Sequence, residues 1–95
     1  MIAVNVRLDG ITIDGHAGYA EAGKDIVCAG VTVLTENLID SIESLTEDTI
    51  QYEISPGRVD IYYKNLSEAG ILLVDSFFLG ISGIVQDFPE YVKII

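Results

Sequence analysis

The feature that most constrains the fold is a switch in apolar periodicity, from strand-like to helix-like, that occurs twice along the chain. Alternation of apolar and more polar residues is typical of a half-buried strand. Asp9-Gly10, between the first two alternating segments, favours a tight turn whose glycine accepts a positive φ. The first fifteen residues are therefore predicted to form a β-hairpin. Its alternating apolar positions are Ile2, Val4, Val6 and Leu8, followed by Ile11 and Ile13.

A helical period follows this hairpin and predicts a first helix from about residue 26 to residue 45. Asp25 is suited to cap it, because a short carboxylate can accept a hydrogen bond from the N–H of Cys28, three residues on. Residues 15–24 contain three glycines and no strong apolar period, which predicts a mobile loop. The helix has one apolar face. The residues of that face are Val27, Val31, Leu34, Leu38, Ile42 and Leu45.

The second half of the chain repeats the order of a hairpin followed by a helix. Alternating segments at 50–54 and 59–63 are joined by Ser55-Pro56-Gly57-Arg58, which predicts a second hairpin. A second helix is predicted over roughly 66–86, with Asn65 or Ser67 as its cap.

The element order ββαββα predicts an α+β fold in one domain, residues 1–95. We expect a two-layer sandwich, in which an antiparallel sheet from two β-hairpins carries two helices packed on one face. Tyr91-Val92-Lys93-Ile94-Ile95 is a candidate for a final strand. The second helix has surplus apolar surface, which a homodimer would cover and which a fuller core would also explain.

The charge balance indicates which classes of binding partner suit the protein. Fifteen acidic residues against five basic ones give a net charge of −10, which disfavours binding to nucleic acid or to an anionic membrane. A basic protein partner fits this charge, although solubility alone would explain it. No apolar run reaches the length of about 18 residues that a membrane span needs. A start without signal-peptide features and a single cysteine lead us to expect a cytoplasmic protein.

His16 and Cys28 are the only histidine and the only cysteine in the chain. If the protein is a thiol catalyst, Cys28 is the nucleophile and His16 its only imidazole base. Cys28 is predicted in the first turn of a helix, where the macrodipole and free N–H groups favour a thiolate and would stabilise an oxyanion. A structural zinc site needs four soft ligands and this chain offers two, so we expect no metal or other cofactor.

Simpler explanations of these residues remain open. A lone helical cysteine is most often a small buried apolar residue, and a lone loop histidine is most often exposed. Asp25 is expected to cap the helix, and its alternative role is to hydrogen-bond His16 and set its tautomer. Thr32 lies one turn beyond Cys28, where its hydroxyl either contacts the thiol or packs.

At these residues the sequence resembles the ribosomal-processing cysteine protease family, Prp. Gly15-His16-Ala17, followed by the segment from Gly23 to Thr32 that contains Asp25-Ile26-Val27-Cys28-Ala29, is similar to the family signature. The resemblance extends over essentially the whole chain, including the closing Phe88-Pro89-Glu90-Tyr91-Val92. Two departures are visible, Gly30 where alanine is usual and Thr32 where serine is usual.

The resemblance implies a cysteine endopeptidase that removes the N-terminal extension of a bacterial large-subunit ribosomal protein, number twenty-seven. It implies Cys28 as nucleophile, His16 as general base and acid, and Gly15, Asp25 and Thr32 as supporting residues. It also implies a homodimer and a loop around His16 that substrate orders. The alternative function is a noncatalytic acidic dimer that binds a basic ribosomal protein during assembly and does not need Cys28.

Overall fold

The computed structural model describes residues 1–95, which form two helices and one five-stranded sheet. This confirms the α+β class and the sandwich predicted from the sequence. The elements are β1 (Ile2–Arg7), β2 (Gly10–Asp14), α1 (Ile26–Leu45), β3 (Ile50–Ser55), β4 (Arg58–Tyr63), α2 (Glu68–Asp87) and β5 (Val92–Ile94). Across the sheet the strands follow the order β3-β4-β2-β1-β5.

The first hairpin turns one residue earlier than the sequence predicts. Arg7 pairs with Gly10, so the loop consists of Leu8 and Asp9, and Gly10 already belongs to β2. Gly10 is not among the residues with positive φ. A β-carbon at this position would collide with the carbonyl oxygen of Ile61 on β4. The glycine therefore permits close approach of two strands, and the turn-based explanation was wrong.

The second hairpin turns where the sequence predicts. Ser55 pairs with Arg58, which leaves Pro56 and Gly57 as the loop. Gly57 has φ +72°, as expected of the glycine that follows proline in a type II turn.

The terminal segment forms the final strand that the sequence left open. β5 pairs in parallel with β1, with Ile2 opposite Val92 and Val4 opposite Ile94. The other strand pairs are antiparallel, so the sheet is mixed.

Both helices begin at a side-chain cap. α1 has the predicted bounds and the predicted cap, Asp25. α2 begins at Glu68 and is capped by Ser67, whose side chain accepts a hydrogen bond from the N–H of Gly70. Asn65, the other candidate cap, has φ 52°, whereas a cap residue takes extended angles.

The core lies between the helices and one face of the sheet and contains 17 buried apolar residues. α2 is long and apolar enough to cross a membrane by length and composition alone. Val74, Phe77 and Ile81 of this helix are buried in the core.

The helices cover the outer strand β3 only at its start, where Ile50 belongs to the buried core. Tyr52 lies opposite Ile61 on the same face of the sheet, yet Tyr52 is 42% exposed and Ile61 is fully buried. Ile54, the next residue of β3 on that face, is 61% exposed. A groove therefore runs between β3 and α1.

Candidate active site

Cys28 lies in the first turn of α1, at a position fixed by the helix cap. One carboxylate oxygen of Asp25, Oδ1, accepts hydrogen bonds from the N–H groups of Val27 at 3.0 Å and Cys28 at 2.9 Å. The N–H of Ala29 donates to the main-chain oxygen of Asp25 at 3.0 Å. Val27, Cys28 and Ala29 therefore already use their N–H groups in the helix cap and the first helical turn, so these three are not free donors to an oxyanion in this structure.

The sulfur of Cys28 receives a hydrogen bond from the loop that precedes the helix. The N–H of Ala17 donates to Sγ at 3.3 Å. Ala17 is itself buried, at 5% exposure, and belongs to the core cluster, whereas Cys28 is half-buried. A hydrogen bond from an N–H stabilises negative charge on sulfur, so the loop contributes directly to the environment of the thiol.

Asp25 holds the loop as well as the helix. Its second oxygen, Oδ2, accepts from the N–H of Tyr19 at 3.0 Å and is 3.5 Å from that of Ala20. The hydrogen bond from the Cys28 N–H, helped by those of the loop, lowers the pKa of Asp25, against the opposing effect of desolvation. No hydrogen bond joins Asp25 to His16. The geometry is that of a cap that also fastens the loop.

Tyr19 ties the same loop to the far end of the chain. Its ring packs edge-on against Phe88 and Tyr91, with centroid distances of 5.5 and 5.2 Å. Such contacts contribute about 0.5–1.5 kcal/mol each beyond area burial. The loop that was predicted to be mobile thus has both polar and aromatic anchors.

The His16 side chain is exposed, and its main chain is held just beyond the end of the central strand β2. The main-chain nitrogen of Met1 donates to the His16 carbonyl oxygen at 2.6 Å. The preceding residue, Gly15, has φ +102° and donates its N–H to the Gly57 carbonyl oxygen at 2.7 Å. A β-carbon on Gly15 would collide with the Met1 carbonyl oxygen. Glycine is therefore required here both by backbone angle and by space.

The imidazole of His16 lies over the turn between β3 and β4. A β-carbon built on Gly57 would be 2.7 Å from His16 Nε2 and 3.4 Å from Cδ2 and Cε1. From the sequence, Ser55-Pro56-Gly57-Arg58 was predicted only as the turn of the second hairpin. No signal in the sequence places Gly57 against His16, because the two residues are far apart in the chain.

His16 and Cys28 open into one cavity of about 220 Å³ between α1 and the sheet. No hydrogen bond joins the imidazole to the sulfur. Thr32 lines the cavity and is exposed, and its hydroxyl makes no hydrogen bond to Cys28. The cavity is lined by apolar residues of both layers and by the β3–β4 turn, among them Ile13, Val31, Ile39, Ile54, Gly57 and Val59.

No group of three or more His, Cys, Asp or Glu side chains is arranged to hold a metal ion. The ionisable side chains that line the cavity are those of His16, Cys28, Glu36 and Arg58.

Comparison with known proteins identifies the family of the chain. A family model described as cysteine protease Prp matches residues 1–93. The ribosomal processing cysteine protease Prp of Staphylococcus aureus (strain Mu50 / ATCC 700699) is 27% identical over 92 residues, which cover 93% of this chain and 86% of that protein. The protein of the same name from Bacillus subtilis (strain 168) is 23% identical over 87 residues, covering 84% and 78% respectively.

Solved structures share the fold. The crystal structure of S. aureus Prp in complex with a covalently linked product peptide superimposes with a TM-score of 0.95 at 22% identity, covering 99% of this chain and 97% of that one. The S. aureus enzyme with a substrate peptide gives a TM-score of 0.78 at 19% identity, with 99% and 95% covered. SMU.848 from Streptococcus mutans gives 0.79 at 31% identity, with 98% and 89% covered.

Proposed function

Because the chain belongs to the cysteine protease Prp family, we propose that it removes the N-terminal extension of the bacterial large-subunit ribosomal protein number twenty-seven, with Cys28 as nucleophile and His16 as general base and acid. The observation that carries this proposal is the shared cavity, into which the only thiol and the only imidazole of the chain both open. The relatives in Staphylococcus and Bacillus are named as ribosomal processing proteases.

The proposed reaction proceeds in two steps. The Cys28 sulfur attacks the carbonyl carbon of the scissile peptide bond, and His16 passes the thiol proton to the leaving amine. A thioester with the N-terminal fragment remains. Water then attacks the thioester with His16 as base, which releases the fragment as a carboxylic acid and restores the thiol. Since the two side chains are not hydrogen-bonded in the free protein, substrate binding brings the imidazole to the sulfur.

The oxyanion of both steps forms close to Sγ. Ala17 already directs its N–H at the sulfur from 3.3 Å, whereas the N–H groups of Val27 and Cys28 are hydrogen-bonded to Asp25. We assign Ala17 as a main-chain donor to the oxyanion. Gly15 and Asp25 support the reaction by fixing the two ends of the loop that carries Ala17. Thr32 supports the reaction as part of the cavity wall.

Substrate would approach along the free edge of the sheet. The outer strands are β3 and β5, and only β3 ends at the cavity, through Ile54 and Ser55. An extended peptide can add a strand to such an edge. The net charge of −10 would attract a basic ribosomal protein, and the same charge disfavours direct contact with nucleic acid.

The proposal includes a homodimer in the cytoplasm. α2 exposes a row of large apolar side chains, of which Leu72 is 68% and Leu79 is 71% exposed. Covering this face with a second copy would remove it from water, whereas insertion in a membrane would withdraw Val74, Phe77 and Ile81 from the core. Sedimentation of the wild type and of Leu72→Glu tests it. A dimer that becomes a folded monomer supports the assembly, and a monomeric wild type contradicts it.

The function is tested by intact-mass analysis of the extended ribosomal protein after incubation with wild type, Cys28→Ala and His16→Ala. We expect one defined N-terminal peptide to be released by the wild type alone, with a rate loss of at least about 1,000-fold in each variant. Cleavage by Cys28→Ala would contradict the assigned nucleophile. Binding by all three proteins without cleavage would support the noncatalytic binding module instead.

A further inference from the structure

The β3–β4 turn reaches the candidate active site, although the reaction described above makes no use of it. The turn is connected to the histidine segment twice. The Gly57 carbonyl oxygen accepts the Gly15 N–H at 2.7 Å, and the space in front of the Gly57 α-carbon is filled by the His16 ring.

The contact is specific in its geometry. The point where a side chain would begin on Gly57 is 2.7 Å from His16 Nε2, and outside residues 56–58 no heavy atom lies nearer to that point. Any residue other than glycine would therefore meet the imidazole first at one of its two ring nitrogens. Backbone angle alone would also admit asparagine, as Asn65 shows at φ 52°, so the space filled by the His16 ring is a second requirement for glycine at this position.

The proposal rests on the proposed function. We infer that Gly57 is a positioning residue that seats the imidazole of His16. The turn supports the main chain of the histidine segment through Gly15 and leaves an open surface for the ring. This is the free-state position from which substrate binding brings the imidazole to Cys28 across the cavity that the two residues share. A methyl group at position 57 would displace the ring from this starting position, so that fewer substrate complexes reach the arrangement that transfers the proton.

The first test measures the contact in the wild-type protein. Since His16 is the only histidine, its ring protons give unambiguous NMR signals. We expect nuclear Overhauser effects between these ring protons and the Gly57 α-protons. Their absence in a folded protein would overturn the inference, whatever the substrate of the enzyme, so this result is separate from the test of the proposed function.

The second test uses Gly57→Ala with Asn65→Ala as matched control. Both variants place alanine at a positive φ, but residue 65 lies outside the cavity, so the control carries the backbone strain without the collision. We expect Gly57→Ala to lower kcat by about 10- to 100-fold with little change in KM and to shift the His16 ring signals. Asn65→Ala should retain kcat and those signals.

Equal kcat and unchanged ring signals in folded Gly57→Ala would contradict the positioning role. A loss of kcat of the same size in Asn65→Ala would also contradict it, because strain alone would then explain the effect. If Gly57→Ala does not fold, the nuclear Overhauser measurement on the wild type decides the question.

Discussion

The N-termini of the two helices are capped in similar ways, but only the N-terminus of α1 forms part of the candidate active site. In α1 the third residue after the cap is Cys28, whose N–H donates to Asp25. In α2 the third residue after the cap is Gly70, whose N–H donates to Ser67 Oγ at 3.1 Å. An aspartate secures each start, directly in α1 and through Ser67 in α2, where Asp48 accepts from the serine N–H and hydroxyl.

The difference lies in what surrounds the third residue. At α2 the Asp48 carboxylate occupies the space where a side chain on Gly70 would lie, so this helix start is closed. At α1 the side chain of Cys28 opens into the cavity, and a loop wraps over it and donates the Ala17 N–H. A capped helix start is therefore insufficient for chemistry. The loop and the facing turn make the site.

The largest effect that separates the two starts is expected on removal of the caps. Asp25→Ala frees both the helix start and the loop, so we expect kcat for peptide cleavage to fall by about 100-fold through misplacement of Cys28 and Ala17. Ser67→Ala should lower the free energy of unfolding by about 1 kcal/mol and leave kcat unchanged. Steady-state kinetics and urea unfolding measure both. Similar losses of kcat in the two variants would abolish the distinction.

A milder change separates the two tasks of Asp25. The amide oxygen of Asp25→Asn can still accept from the Cys28 N–H, but its NH₂ group cannot accept from Tyr19. We expect the melting temperature at pH 7 to stay near that of the wild type, because asparagine is also a good cap. Turnover should fall roughly 10-fold as the loop loosens. Full activity in this variant would show that the loop does not depend on Oδ2.

Glycine replacements test whether the α2 start is closed. Gly70→Ala should lower the free energy of unfolding by about 1–3 kcal/mol, since the methyl group collides with the Asp48 carboxylate. Gly83→Ala is the control within the same helix, because a β-carbon there meets nothing within 4 Å. It should stabilise the protein by about 1 kcal/mol through helix propensity. Urea unfolding of both variants should give opposite signs, and stabilisation by Gly70→Ala would contradict the closed start.

The smallest expected effect is on the pH dependence of stability, which the carboxylates at the two helix starts influence. The Ser67 hydroxyl and N–H lower the pKa of Asp48, as the Cys28 N–H does for Asp25. A carboxylate with a lowered folded-state pKa stabilises the fold above its unfolded value of 3.8, and this contribution is lost as the pH falls through the folded value. Melting temperatures measured from pH 7 down to about 2 should therefore fall less steeply below about pH 4 in Asp48→Asn than in the wild type. Parallel curves would show that Asp48 does not contribute.

Local interactions were predictable from the sequence. Asp25 and Cys28 are three residues apart, so a cap between them needs only the geometry of one helical turn, and the bounds of α1 followed. The alternating segments likewise predicted both hairpins, since the strands of a hairpin are neighbours in the chain. His16 and Cys28 were selected because the chain contains no second imidazole or thiol.

Only the tertiary structure decided how distant segments meet. The parallel pairing of β5 with β1, the approach of Ile61 to Gly10, and the ring of Tyr19 against Tyr91 all join residues far apart in sequence. The same holds for the contact between the His16 ring and Gly57. Such contacts form only after the whole chain packs, because their geometry depends on how helices and strands bury their apolar faces together, and no local pattern in the sequence records it.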